Sequence, residues 1–274
     1  MALTLFYITN NTQVALIAEK YGVDRIWVDL ETLGKEDRQK NINSVKSNHT
    51  IEDVSLIKSV LTRSELLVRV NPIHEHSQEE IDAVIAGGTD IIMLPMWRSV
   101  DDVRQFLQMV DRRAKTTLLL ETKEAVECVD EVLKLDFDEI HIGLNDLHLS
   151  YGLTFMFELL SNGTVEMLCK KFKAKGIPYG FGGLARLDGG LLPGRKVLAE
   201  HYRLGSSMVI LSRAFFDASA NHNIADVEKM FGEEIQAIRA YEAQLARMPK
   251  GFFENNRLQV AKIVHQIITG QKAA

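Results

Sequence analysis

The chain has 274 residues, 46% of them hydrophobic and 25% charged, with a formal net charge of -5. That composition can build one large core, and roughly 250 residues is the ordinary size of a single-domain α/β barrel. It argues against a membrane partner, because no apolar run approaches the roughly 20 residues of a transmembrane helix, and the lack of a long basic stripe argues against nucleic acid.

The N-terminus, Met-Ala-Leu-Thr-Leu-Phe-Tyr-Ile-Thr, lacks the positive region that opens a signal peptide, so a cytoplasmic location is expected. Strand-like apolar runs follow at Leu5 to Ile8, Ile26 to Leu30, Leu66 to Val70, Ile91 to Leu94, Thr117 to Leu120, Ile140 to Ile142, Pro178 to Phe181 and Met208 to Leu211. Between them, Thr12 to Tyr21, Ile51 to Leu61, Gln78 to Ala86, Val100 to Arg113 and Lys123 to Leu135 read as helices. Eight strands in strict alternation with helices predict a (β/α)8 barrel, and no G-x-G-x-x-G follows the first strand to favour an open nucleotide-binding sheet. Cys128 and Cys169 each sit in a helix-like segment beside apolar residues and read as reduced packing thiols.

Beyond strand eight, Ile224 to Met248 and Phe253 to Thr269 are two further helical stretches joined by Pro249-Lys250-Gly251. The expected organisation is a single domain over 1–274, with 249–274 a helical extension. Leu258, Ala261, Ile263, Val264, Ile267 and Ile268 let that extension cover its own barrel or pack on a neighbouring subunit of a homo-oligomer.

Barrel chemistry is sought where the strands end. Strand two ends in Asp29-Leu30-Glu31-Thr32, followed by a long polar loop with Lys35, Arg38 and His49 that reads as functional or as a solvated connector. Strand three carries Arg69 in an apolar run closed by Pro72, so its guanidinium meets an internal carboxylate or holds an anionic ligand at the rim. Strands five and six lead to Glu121, just before the helical Lys123 to Leu135 stretch, and to Asp146, which is expected in a loop. One helix-sized stretch separates these acids, which puts both at the same end of a parallel sheet. Singly, each is an ordinary helix cap or first-turn charge; together they predict a site for Mg²⁺ or Mn²⁺ with positions left for substrate.

Gly180-Phe181-Gly182-Gly183 closes and follows strand seven, and Gly182 and Gly183 are either substrate-binding backbone or a tight turn, with Ser212-Arg213 on the same rim. The histidines form no site by spacing. His74 and His76 read as surface residues, His141 as a packed strand residue, and His148 as one within reach of the mouth.

The chain resembles the HpcH/HpaI aldolase and citrate lyase family. The likeness rests on D-R-I-W-V-D-L-E at 24–31, L-L-V-R-V-N-P at 66–72, D-I-I-M-L-P at 90–95, L-L-L-E-T at 118–122 and I-G-L-N-D-L at 142–147. It implies that Glu121 and Asp146 hold the metal, that Arg69 binds the keto or acyl oxygen, and that backbone amides near Asn145 and Asp146 hold a carboxylate. It further implies an aldolase that forms or cleaves a 2-oxo acid such as pyruvate, with an aldehyde as partner, through an enolate stabilised at the metal. Pyruvate aldolases of this family carry a histidine where this chain has Thr32. The proton-transfer group therefore stays open among His49, Glu31 and a metal-bound water. The departure also keeps two alternatives in view, a citrate-lyase-like lyase or thioesterase acting on a short acyl-CoA ester, and a non-catalytic barrel used for binding or assembly.

Overall fold

A computed structural model describes residues 2–34, 48–212, 215 and 223–270. Eight parallel strands close in sequence order, with β1 (Thr4–Ile8) pairing both β2 (Arg25–Asp29) and β8 (Met208–Leu211). Between them run β3 (Glu65–Arg69), β4 (Ile91–Leu94), β5 (Lys115–Leu120), β6 (Glu139–Ile142) and β7 (Tyr179–Leu184). Eleven helices are present among the described residues. The fold is the expected (β/α)8 barrel with additional C-terminal helices. Lys35, Arg38 and Arg213 lie outside the described residues.

The helices through β6 are α1 (Thr12–Lys20), α2 (Ile51–Val60), α3 (Ser77–Ala86), α4 (Val100–Val110) and α5 (Lys123–Val132). Local chemistry sets where they start. Ser99 accepts from the Asp102 amide at 3.1 Å while Asp102 accepts from the Ser99 amide at 3.0 Å, a reciprocal cap that opens α4. Val103, Phe106 and Val110 then recur at helical spacing and are buried against the barrel. Fully burying each such side chain contributes roughly 1.5–3 kcal/mol, more than the cap's approximate 1 kcal/mol.

Strand periodicity sorts residues between two cores. Phe6, Trp27, Leu67, Ile91, Met93, Leu119 and Met208 form a small cluster filling the lumen, while the alternate residues join the large cluster beneath the helices. The lower lumen is closed by Arg25, whose guanidinium reaches Glu139 and Glu65, with Thr117 donating to Glu139 at 2.6 Å. The same alternation carries inward-facing positions upward along β2 from Arg25 through Trp27 to Asp29.

Two elements differ from the sequence reading. β7 extends through Gly182 and Gly183 to Leu184, because a bulge between Gly180 and Gly183 lets the glycine-rich segment keep pairing with β8. Asp146 lies within the first turn of α6 (Leu144–Ser150) and not in a loop. The connection then continues through α7 (Glu158–Ser161) and α8 (Thr164–Lys175), and α9 (Gly194–Leu204) follows β7.

The chain ends in α10 (Ile224–Leu245) and α11 (Lys250–Thr269). α11 packs on α9 and α7 of its own chain, burying Asn256, Val260 and Val264, while Leu258 and Ile268 remain exposed. Asn256 donates to the Lys196 carbonyl at 3.0 Å and to Glu200 at 2.8 Å, which fixes the helix in register.

Candidate active site

Asp29 and Arg69 end neighbouring strands and are register partners. Nε and Nη2 of Arg69 donate to the two Asp29 oxygens at 2.8 Å each, and Nη1 lies 3.1 Å from Glu31. The guanidinium also stacks over Trp27, 5.0 Å from the ring centroid. Of the two sequence expectations for Arg69, an internal carboxylate is therefore met. Burial opposes its charge, but the pull of Asp29 and then Glu31 outweighs that and keeps the guanidinium protonated.

Glu121 follows β5 and is 2% exposed. It is not a helix cap, since Thr122 does that work by accepting from the Ala125 amide at 3.1 Å. The Met96 amide instead donates to Glu121 Oε1 at 3.1 Å, from a residue held at φ 52°, a left-handed backbone seldom adopted outside glycine. A Cβ on Gly143 would lie 2.7 Å from Glu121 Oε2, so only glycine at that position leaves the carboxylate its place. Burial, then the charges of Asp146 and Glu31, push the Glu121 carboxyl well above its ordinary range, with Arg69 and the Met96 amide opposing.

Asp29 and Glu31 thus flank the Arg69 guanidinium at the carboxyl ends of the strands, and the charges of Glu31, Arg69 and Asp146 all act on Glu121. Hard carboxylate oxygens of this kind suit a divalent cation. Among the described residues no three His, Cys, Asp or Glu side chains are grouped closely enough to hold a metal ion. The donor set on offer is the carboxylate pair Glu121 and Asp146, with Asp146 in an ordinary first-turn position of α6 as well.

His49 comes back from the long loop to β2, where its Nδ1 accepts from the Asp29 amide at 2.9 Å. A neutral ring bonded that way carries its proton on Nε2, and so presents a donor there and not a base. Thr32 is tied down elsewhere: its amide donates to Asn71 Oδ1 at 2.8 Å, the Leu33 amide does so at 2.9 Å, and Asn71 Nδ2 donates to Glu80 at 2.8 Å. Asn71 thereby anchors the turn that follows Glu31.

The glycines of β7 have packing reasons to be glycines. A Cβ on Gly182 would meet Leu144 at 2.6 Å, and one on Gly183 would meet Ser212 at 3.0 Å. His141 is fully buried in the lumen wall and donates from Nε2 to the Gly182 carbonyl at 3.1 Å, the carbonyl fixing the tautomer. His148 is buried against its own helix, with Nδ1 donating to the Leu144 carbonyl at 3.2 Å, and it acts electrostatically on Glu158. His74 pairs with Glu80 at 3.2 Å, and His76 is exposed beside Glu79.

Sequence reasoning named Arg69, Glu31, Glu121 and Asp146, and the fold brings them together. It assigned no role to Asp29, Asn71, Met96 or Gly143. For Asp29 the signal was present in strand alternation, Arg25, Trp27 and Asp29 sharing one face; for Met96 nothing local foretold a left-handed backbone.

A family model described as HpcH/HpaI aldolase/citrate lyase matches residues 2–166, more than half of the chain. The chain belongs to the HpcH/HpaI aldolase/citrate lyase family. No curated protein matches it. Membership supports an aldolase- or lyase-type enzyme acting on small molecules. The matched stretch of this HpcH/HpaI member runs from β1 through α7 into the first turn of α8 and contains every carboxylate of the site together with Arg69. β7, β8 and the C-terminal helices lie beyond it. No helix among the described residues is long and apolar enough to cross a membrane.

Proposed function

We propose that this chain is a divalent-metal-dependent carbon–carbon lyase, an aldolase that forms or cleaves a 2-oxo acid such as pyruvate with an aldehyde as the second component. The observation that supports the reading is Glu121, buried at the end of β5 and subject to the charges of Asp146, Glu31 and Arg69. Glu121 and Asp146 would hold Mg²⁺ or Mn²⁺, and the ion when bound supplies Lewis acidity to the oxygens of the 2-oxo acid.

The chain's own groups supply the rest. Arg69 engages Asp29 through Nε and Nη2 and Glu31 through Nη1, and the second N–H of Nη1 and of Nη2 is the donor for the oxygen that gains negative charge on carbon–carbon cleavage or addition. Backbone amides of Asn145 and Asp146 bind the substrate carboxylate, and Gly182 and Gly183 contribute bare backbone on the β7 side. The proton-transfer group is Glu31 or His49, acting directly or through water. Compartment and assembly enter as proposals too, a cytoplasmic homo-oligomer. A lyase or thioesterase on a short acyl-CoA ester would use the same acids but needs a groove for the carrier.

The test is pyruvate release or consumption over a panel of hydroxy-oxo acids and aldehydes with Mg²⁺, Mn²⁺ or EDTA. Turnover that requires the metal and disappears with EDTA supports the reading. Turnover untouched by EDTA removes it, and activity confined to acyl-CoA esters replaces it with the second.

A further inference from the structure

Ile210 breaks the burial pattern of β8. Its neighbours Val209 and Leu211 are buried beneath the helices, yet Ile210 is partly exposed. It is no edge residue, since Phe6 of β1 and Gly183 of β7 are its register partners on either side. It packs against the lumen cluster, and so does Ile8, the partly exposed last residue of β1. In a closed barrel, the accessible surface of an inward-facing residue can open only into the lumen. Ile8 and Ile210 therefore line the upper lumen beside the charged site, and the partly exposed Gly183 stands next to Ile210.

The mouth is thus divided by chemistry. β2, β3, β5 and β6 bring Asp29, Glu31, Arg69, Glu121 and Asp146, whereas among the described residues the upper ends of β7, β8 and β1 bring bare backbone and hydrocarbon, with only the uncharged Ser212 and Thr9 directly after β8 and β1. Arg186, the cation following β7, is drawn outward, donating to the Phe215 carbonyl at 3.0 Å and lying 3.7 Å from Glu234 of α10.

We propose that the hydrocarbon arc of Ile8 and Ile210 selects the second reaction component, an aldehyde with a short, uncharged aliphatic substituent. This rests on the aldolase reading above and narrows its substrate class. In the addition direction the methyl carbon of pyruvate gives up a proton and bonds to the aldehyde carbonyl carbon. The aldehyde oxygen takes up a proton, and the product is a 4-hydroxy-2-oxo acid with no change in overall oxidation state. The aldehyde's substituent rests on Ile8 and Ile210. Each methylene buried there is worth roughly fourfold in selectivity, and a charged substituent would lose its hydration with no charged partner among the described residues of β7, β8 and β1.

The experiment uses the full chain with Mn²⁺ and pyruvate. kcat/KM is measured for acetaldehyde, propanal and butanal, and for glycolaldehyde, succinic semialdehyde and glyceraldehyde 3-phosphate. The expected result is a rise of roughly fourfold per methylene from acetaldehyde to butanal, with the charged aldehydes at least about tenfold below butanal. In Ile210→Ala the butanal to acetaldehyde ratio changes about tenfold, and Ile210→Val, which removes one carbon, changes it in the same direction by less. Because the readout is a ratio, partial misfolding of a variant does not alter it. Deuterium exchange into the pyruvate methyl group without any aldehyde is followed in parallel. No exchange sinks the aldolase reading and this proposal with it. Exchange with a flat ranking, a preference for charged aldehydes, or a ratio indifferent to Ile210 sinks this proposal alone.

Discussion

Asp29 and Arg69 face each other across β2 and β3 as register partners, and two hydrogen bonds of 2.8 Å join the carboxylate to one edge of the guanidinium. Asp29 is thus the residue that aims Arg69. Replacing Arg69 with Lys keeps the charge but loses the planar fork, and the expected loss in kcat/KM is on the order of 100-fold. Asp29→Asn keeps the shape and removes the compensating charge, with an expected destabilisation of roughly 3 kcal/mol. Steady-state kinetics and denaturant unfolding check both; near-normal turnover of Arg69→Lys would show that the guanidinium is not needed for catalysis.

Gly143 offers a test of the carboxylate pair that leaves every charge in place. A methyl group there would approach Glu121 Oε2 to 2.7 Å and Glu121 Cβ to 2.9 Å, so Gly143→Ala must displace Glu121. Mn²⁺ affinity, measured by titration calorimetry, is expected to fall about 10–100-fold. Unchanged affinity would mean that Glu121 is not a ligand.

The raised proton affinity of Glu121 has a consequence for stability. Its carboxyl lies above its ordinary 4.5 in the folded state, so the folded protein holds a proton that the unfolded chain releases. Stability from this group is therefore full below about 4.5 and declines as pH rises through the folded value. A divalent ion substitutes for the proton. Added Mn²⁺ is expected to raise the melting temperature more at pH 8 than at pH 5, and Glu121→Gln to stabilise the metal-free protein at pH 8 while abolishing that gain. A metal shift independent of pH and unaffected by Glu121→Gln would remove the assignment.

His141 and His201 give the opposite pH dependence. Burial brings His141 down to about 4 from its ordinary 6.5, the Gly182 carbonyl opposing and Arg25 assisting, and burial with His141 lowers His201 well below 6.5. Both stay neutral in the folded state while the unfolded chain takes up protons. Their contribution is present above 6.5 and is lost as pH falls toward 4, at roughly 1.4 kcal/mol per pH unit for each histidine. Urea midpoints between pH 7.5 and 5 are expected to fall accordingly, with a shallower slope in His141→Gln. An equal slope in the variant would show that His141 does not set the acid limit.

The architecture was legible because it rests on a short-range signal. Apolar runs such as Ile91 to Leu94 and Thr117 to Leu120 alternate with helical periods, and eight such units close only one way. β7 runs past its apolar signal because Gly182 and Gly183 carry no strand preference, and the bulge that keeps them paired depends on β8. The composition of Gly143-Leu144-Asn145-Asp146 is turn-like and points to a loop, whereas burial of Leu144 and Leu147 settles the helical state of α6.

What the sequence determined by itself was the alternation, and with it the barrel and the level at which Glu31, Arg69, Glu121 and Asp146 emerge; each is within a few residues of a strand end, so chain order alone places them on one rim. What only the tertiary structure decided was which of these groups touch. The Asp29 to Arg69 fork, the Met96 amide on Glu121, the His49 ring on the Asp29 amide and the exposure of Ile210 all join residues from different strands or from a strand and a distant loop. Such contacts depend on register and closure, which are collective properties of all eight strands and have no local signature in the chain.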